Sequence, residues 1–232
     1  MVSTTLGGRE MRLTVFAKRG RGPAARPADW AERDLPAPRA RGIPAGVRTS
    51  QALGPLWRRA AARLGIRDPA ALTVAAGGAR GPGKQVEGHR PGAAGVRDVY
   101  HARERLGAAA QALYGEGAAA AGRWVERHRG PLPAEGAAGS CAGLQEGHLA
   151  AGVRAGLCGY FRPHAAHTDY RGRRAPGQSI GSGLVEGACQ PVIGRRRKQA
   201  GARWKVRRVE RMATRCAVLA TDQWQTYWEG TT

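Results

Sequence analysis

The sequence predicts an α/β protein with a helical insertion, and three observations support this fold class. Short apolar segments with the composition of β-strands lie in the N-terminal half of the chain. Longer segments with apolar residues at helical spacing follow and fill most of the C-terminal half. Hydrophobic residues make up 42% of the 232 residues, which is enough for a packed core. Strands that alternate with helices are typical of α/β domains.

The first predicted elements are a strand, a loop and a helix. Residues 10–18 (EMRLTVFAK) alternate polar and apolar side chains, as strands do. Residues 20–44 are rich in Pro, Arg and Gly and predict an irregular loop. Residues 50–65 place Leu and Trp side chains at helical spacing, and Ser50 is positioned to cap this helix.

The middle of the chain predicts two short strands and further helices. Segments 71–76 (ALTVAA) and 95–100 (GVRDVY) have the composition of buried strands. Residues 101–128 predict one helix, residues 130–139 interrupt it, and weaker helices are expected over 141–161. The apolar face of the long helix comprises Leu106, Ala110, Leu113 and Tyr114.

The C-terminal part predicts an arginine-rich loop and two helices. The loop spans 162–177, the first helix carries Glu186, and the last helix spans 203–228. Arginines occupy the polar face of the last helix. Its buried face is predicted to contain Val209, Met212, Cys216, Leu219, Ala220, Trp224 and Tyr227.

The charge of the chain indicates a polyanionic partner. The formal net charge is +21 and the isoelectric point is near 11.4. GC-rich codons also raise arginine content, but the basic residues here are clustered. The four cysteines lie far apart, which argues against a structural zinc site and a disulfide scaffold and favours reduced, mostly buried thiols. Neither a signal peptide nor a membrane-length apolar run is evident, so we expect a soluble cytoplasmic protein.

Three motifs suggest other chemistries, and each is incomplete. Residues 78–84 (GARGPGK) have the spacing of a phosphate-binding loop, but Gln85 replaces its hydroxyl residue. Ser179 lies in GQSIG, which has the nucleophile-elbow pattern of α/β-hydrolases, yet no histidine follows it in the chain. A metal site is a further alternative for a histidine- and aspartate-bearing segment, although such residues more often lie on a surface loop. Its members are His164, His167 and Asp169.

The stretch 177–204 carries the most functional information. A Gly- and Ser-rich turn leads into a helix, Glu186 lies about one turn inside it, and a run of Arg and Lys follows. This order places one carboxylate beside a basic surface, as an enzyme acting on nucleic acid requires. Asp98 and His101 form a D-x-x-H element at a strand-to-helix junction, where α/β folds expose functional side chains. Alternatively, Asp98 only caps the helix that follows.

Several blocks together resemble the insertion-sequence DDE transposases with an RNase H-like core, related to the Mutator-like group. The blocks are residues 97–117, 160–172, 179–213 and 221–229. The resemblance implies an RNase H-like mixed sheet with flanking helices and a helical insertion before the final catalytic helix. Three units are then expected. Residues 1–129 form the N-terminal part of this core, and residues 130–176 form the helical insertion with the arginine-rich loop. Residues 177–232 form the C-terminal helix with the catalytic Glu and the basic amphipathic helix.

The resemblance also implies a catalytic site. The family uses three carboxylates and two Mg²⁺ (or Mn²⁺) ions, which activate the attacking oxygen and stabilise the leaving oxygen at a phosphodiester. By position, Glu186 corresponds to the last carboxylate of the triad. Asp98 and His101 correspond to the D-x-x-H element beside it, and Asp98 is a candidate metal ligand together with Glu186.

Departures from the family pattern indicate a decayed and truncated copy. Gly77 stands where the second catalytic aspartate is expected, and no aspartate precedes Asp29 to supply the first. Gly81 and Gly83 stand where tryptophans are expected, and Pro191 interrupts the Glu186 helix.

The sequence therefore predicts a transposase by descent, in the cytoplasm and nucleoid of a bacterium, with DNA as partner and a homo-oligomer as a possible state. The alternatives are a non-catalytic basic DNA-binding remnant and an unrelated RNA-associated protein. The predicted phosphate-contacting residues are Arg195, Arg196, Arg197, Lys198, Arg203, Lys205, Arg207 and Arg208.

Overall fold

The structure is a computed structural model, and it describes most of the chain. The described residues are 2–4, 9–26, 29, 35–47, 49–68, 72–76, 92–130, 132, 135–136, 139–141, 151–194, 204–221 and 223–229. Helices and short strands are both present, so the α/β class predicted from the sequence is confirmed at this level.

Seven short strands form three small sheets within the described residues. The strands are β1 (Val2–Thr4), β2 (Arg9–Leu13), β3 (Phe16–Lys18), β4 (Ala40–Gly42), β5 (Ala45–Gly46), β6 (Thr73–Ala76) and β7 (Ala94–Arg97). One sheet has the order β1-β2-β5, a second pairs β3 with β4, and both are antiparallel. The third pairs β6 with β7 in parallel. The described strands thus lie in separate sheets and not in the single mixed sheet that the resemblance implies.

The N-terminal strand prediction is only partly correct. The predicted strand 10–18 is divided between β2 and β3, which belong to different sheets, and between them the Thr14 amide donates to the Pro44 carbonyl. The predicted loop 20–44 also contains β4, which pairs with β3 from Phe16↔Gly42 to Lys18↔Ala40.

Eight α-helices follow the chain through the described residues. They are α1 (Ser50–Arg63), α2 (Val99–Tyr114), α3 (Ala119–Arg129), α4 (Ala151–Phe161), α5 (Tyr170–Arg174), α6 (Gly183–Cys189), α7 (Val206–Leu219) and α8 (Trp224–Glu229). A 3₁₀ helix (Arg162–His167) lies between α4 and α5, and a π-helical turn (Gln190–Gly194) follows α6. None of these helices is long and apolar enough to cross a membrane.

Several helix boundaries differ from the sequence predictions for local reasons. The helix predicted over 101–128 is two helices, because the chain breaks at Gly115, whose φ of 88° is unfavourable for other residues. The predicted arginine-rich loop 162–177 is mostly helical. Thr49, not Ser50, caps α1, since its hydroxyl accepts a hydrogen bond from the Ala52 amide.

Two hydrophobic clusters form the interior. The first packs α2, α3 and α4 beside β7 and includes Val96, Leu106 and Phe161. The second packs α7 against β2, β5 and the π-helical turn, and Val192 and Ile193 are among its buried residues. The chain passes from one cluster to the other through α6, because Ile180 just before this helix belongs to the first cluster and Ala188 within it belongs to the second.

The last predicted helix is divided, and this changes which side chains are buried. It consists of α7 and α8 with a break between them. Val209 and Cys216 are buried as predicted, and all four cysteines are free thiols. In contrast, the side chains predicted to be buried at Tyr114, Leu219, Trp224 and Tyr227 are exposed.

Candidate functional site

Asp98 lies at the end of β7, where it caps helix α2. Its side chain is fully buried, and its Oδ1 accepts a hydrogen bond from the Tyr100 amide at 3.1 Å. This is the expected arrangement for an aspartate cap, in which a carboxylate satisfies free amides of the first turn. The capping interpretation of Asp98 is therefore correct, and further contacts show that capping is only part of its role.

The segment before α6 docks onto this junction. The Ile180 carbonyl accepts a hydrogen bond from the Val99 amide at 3.2 Å. A Cβ at Gly181 would lie 2.8 Å from the Tyr100 ring and 3.5 Å from Asp98 Oδ1, so only glycine allows this close approach. The glycine- and serine-rich turn therefore brings the start of α6 directly onto Asp98.

Ser182 connects the two carboxylates that the sequence predicted for the site. Its amide donates to Asp98 Oδ1 at 3.2 Å, and its hydroxyl lies 2.5 Å from Asp98 Oδ2 and 3.0 Å from Glu186 Oε1. The hydroxyl has a single proton, so it donates to one carboxylate at a time. Ser182 and Asp98 are 84 residues apart in the chain. Sequence reasoning missed Ser182, although its place at the N-cap of the Glu186 helix was a usable signal.

His101 completes the cluster on the solvent side. Its Nδ1 lies 2.5 Å from Asp98 Oδ2, and its side chain is 43% exposed while that of Asp98 is inaccessible. This contact orients the ring and leaves Nε2 as its other polar atom. The structure therefore brings together Asp98, His101 and Glu186, the three residues predicted as catalytic.

The described contacts do not fit a two-ion metal centre. Asp98 faces four donor groups, namely the amides of Tyr100 and Ser182, the Ser182 hydroxyl and the His101 ring, so its lone pairs are already engaged. Glu186 is exposed and is the other carboxylate of the cluster. Two Mg²⁺ ions need several oxygen ligands that are free to coordinate. In the described part of the chain, no group of three or more Asp, Glu, His or Cys side chains has an arrangement that could hold a metal ion. Binding of Mg²⁺ or Mn²⁺ stays a prediction.

Aromatic and basic side chains pack behind the carboxylates. Arg97 is buried, its Nε donates to the Tyr160 hydroxyl at 3.1 Å, and its guanidinium lies 4.5 Å from the Tyr160 ring centroid. Tyr170 is fully buried, and burial together with the nearby Tyr160 and Asp98 raises the pKa of its phenol. Arg173 ties α5 to β7 by donating to the Gly95 carbonyl at 2.7 Å. These contacts explain why the sequence blocks 97–117 and 160–172 belong to one site.

The predicted nucleic-acid-binding residues fall into two groups. Arg195, Arg196, Arg197, Lys198 and Arg203 lie outside the described residues. Lys205, Arg207 and Arg208 are exposed at the start of α7, whose buried side packs on the π-helical turn after α6. Arg211 and Arg215 continue the exposed basic surface. We call this surface, formed by Lys205, Arg207, Arg208, Arg211 and Arg215, the basic face of α7.

The structure describes only some of the remaining sequence motifs. Residues 77–91, which include Gly77 and the phosphate-loop pattern, lie outside the described residues. The Ser179 hydroxyl donates to the nearby Gly181 carbonyl at 3.2 Å. Asp169 caps α5 by accepting a hydrogen bond from the Gly172 amide at 2.8 Å, so a structural role accounts for it.

Comparisons with protein-family models, with curated proteins and with solved structures found no match to this chain.

Proposed function

We propose that this chain is a DNA-binding protein of the insertion-sequence DDE transposase type whose carboxylate cluster no longer performs two-metal strand transfer. The observation that carries the proposal is the contact of Asp98 and Glu186 with the same Ser182 hydroxyl. The two carboxylates come from separate blocks of the resemblance, and they meet at a strand-to-helix junction. A DDE-type site needs this kind of convergence.

The basic face of α7 supports DNA as the partner. It presents one lysine and four arginines to solvent, and the opposite side of the helix is buried. Arginine and lysine bind phosphates through charge and hydrogen bonds, without reading sequence. Because the buried side contacts the π-helical turn after α6, the basic face is held in a fixed relation to Glu186.

The small number of carboxylates available to bind metal explains the proposed loss of strand transfer. Gly77 stands where the resemblance places the second triad aspartate, and Asp98 faces four donor groups. Engaged oxygens are poor metal ligands, since a cation would have to displace buried hydrogen bonds. DNA binding needs none of these groups to be free.

The test is the binding of a duplex oligonucleotide, measured by fluorescence anisotropy between 50 and 200 mM salt. Neutralised phosphates release counterions, so six to ten contacts weaken binding by roughly 10³- to 10⁵-fold over this range. An affinity that barely changes with salt would contradict the proposal.

A second candidate is a metal-dependent nuclease or transposase, and the exposure of Glu186 favours it. A ligand in solution can reach this carboxylate, which lies 3.0 Å from a hydroxyl that also contacts Asp98. Nicking of supercoiled plasmid with Mg²⁺ or Mn²⁺, abolished in Glu186→Ala but not in the same change at exposed Glu104, would establish this candidate and overturn the loss of catalysis. Nicking that is equal in both variants would come from a contaminant.

A further inference from the structure

Helix α8 carries three partly exposed aromatic side chains. Trp224, Tyr227 and Trp228 are 39%, 38% and 46% exposed. The rings of Trp224 and Trp228 meet edge to face with centroids 5.5 Å apart, and those of Tyr227 and Trp228 do so at 5.3 Å. We call these three side chains the aromatic patch. Large aromatic surfaces that remain in water usually mark a binding site.

Two segments that contact α8 or the residue before it carry exposed arginines. The Gln223 side chain, at the start of α8, donates to the Arg41 carbonyl at 3.4 Å, and the Arg41 side chain is exposed. Helix α8 also contacts α7, where Arg215 is exposed. Exposed arginines therefore lie on two segments that neighbour α8.

This combination fits single-stranded DNA better than a second copy of the chain. A second copy would bring another charge of +21 to the same surface, which like-charge repulsion opposes. Single-stranded DNA offers phosphates for the arginines and base faces for the rings, whereas the bases of a duplex are stacked on one another. Single-stranded DNA therefore complements both the positive charge and the aromatic rings of this surface.

We propose that the aromatic patch binds unpaired bases of single-stranded DNA while exposed arginines of the neighbouring segments contact its phosphates. The proposal rests on the proposed function, because it assigns a second DNA contact to the same protein. It adds a preference that the basic face of α7 alone does not provide, since phosphate contacts do not distinguish paired from unpaired bases.

The test measures the affinity of the full chain for three probes of equal length: oligo-dT, an abasic strand and a duplex. The wild type is expected to bind oligo-dT roughly tenfold or more tightly than the abasic strand, which has phosphates but no bases. The Trp224→Ala/Trp228→Ala double variant should lose this preference and keep its affinity for the duplex. Replacing both residues by Phe retains the rings and should restore most of the preference.

A matched pair of tyrosines provides the control. Tyr227→Ala should weaken oligo-dT binding severalfold, whereas Tyr114→Ala, which removes a similarly exposed ring at the end of α2, should not. Urea unfolding midpoints verify that each variant is folded. Unchanged oligo-dT binding in the folded double variant would overturn the proposal. An equal loss on all three probes would also overturn it, as would a change in oligomeric state without any change in DNA binding.

The two proposals fail in different ways. If the wild type binds the duplex with a steep salt dependence but does not prefer oligo-dT to the abasic strand, only the aromatic patch proposal is wrong. If the wild type binds no probe at low salt, the proposed DNA-binding function itself is wrong.

Discussion

At the scale of single residues, Asp98 joins the fold to the candidate site. One buried carboxylate caps α2, holds the start of α6 through Ser182 and orients His101. Hydrogen bonds to a charged acceptor are stronger than neutral ones, so Asp98 contributes to stability as well as to the site. Glu186 differs because its side chain is exposed and accepts a hydrogen bond from the Ser182 hydroxyl.

This difference predicts opposite outcomes for two conservative substitutions. Asp98→Asn keeps the size of the side chain but turns an amide donor toward groups that are themselves donors. We expect it to lower the free energy of unfolding by about 1–3 kcal/mol. Glu186→Gln, at an exposed position, should change it by no more than about 0.5 kcal/mol. Urea denaturation measures both, and equal destabilisation would contradict the roles assigned here.

Ser182 provides a separate test of the buried cluster. Ser182→Ala removes one hydroxyl donor from Asp98 without adding bulk, so we expect a loss of about 1 kcal/mol in the free energy of unfolding. Ser179→Ala is the control, because the Ser179 hydroxyl donates to the nearby Gly181 carbonyl at 3.2 Å and not to a carboxylate of the cluster. A larger effect at Ser179 than at Ser182 would argue against the cluster.

His164 predicts a pH dependence of stability. Partial burial, followed by the positive charge of Arg97 and the neighbouring His167, lowers the pKa of His164 below its ordinary value of 6.5. The folded protein therefore binds this proton less readily than the unfolded chain does. The stability that depends on neutral His164 is fully present above pH 6.5, and it is lost as the pH falls through the lowered pKa. His164→Gln should flatten the decline measured by urea denaturation below pH 6.5, and an unchanged decline would contradict the prediction.

At the scale of elements, the sequence predicted most helices and strands but misjudged their ends and their partners. Helical spacing located α1, because it reports one buried face. The apolar composition of 71–76 located β6, and the Gly- and Ser-rich turn located the start of α6. Helical spacing does not report breaks: Gly115 divides the predicted helix 101–128, and α7 ends before the aromatic segment that continues its apolar pattern. Tertiary contacts decide which side chains at such ends are buried.

The sequence identified the residues of the site but not the hydrogen bonds that connect them. The D-x-x-H element and the Glu186 helix identified Asp98, His101 and Glu186, and these three lie together. The bridging role of Ser182 depends on the docking of segment 179–182 onto β7 and α2. A contact between residues so far apart in the chain leaves no local sequence pattern.

Packing of α7 on the π-helical turn predicts a contrast between two aliphatic residues. Ile193 is 2% exposed in the second hydrophobic cluster, whereas Leu219 at the end of α7 is 52% exposed. Ile193→Ala should therefore lower the free energy of unfolding by about 2–5 kcal/mol. Leu219→Ala should change it by about 0.5 kcal/mol or less, because no cavity forms. Thermal or urea unfolding distinguishes the two, and similar losses would contradict the assignment of the core.

At the scale of the whole molecule, α6 links the carboxylate cluster to the basic face of α7. Ile180 before it packs in the first hydrophobic cluster, Ala188 within it packs in the second, and α7 completes the second cluster. A net charge of +21 draws any polyanion to the protein, but this arrangement predicts where the polyanion binds. A test must therefore determine where the polyanion binds on the protein surface, because its attraction to the net charge is expected in any case.

The most direct measurement is the salt dependence of duplex binding for two variants that each lose two positive charges. Arg207→Ala/Arg208→Ala changes the basic face of α7, and Arg59→Ala/Arg63→Ala changes exposed arginines of α1. If the basic face contacts phosphates, the first variant lowers the slope of log affinity against log salt by about 2, and the second leaves it unchanged. Equal slopes in the two variants would show that net charge alone attracts DNA, and the account of the basic face would be wrong.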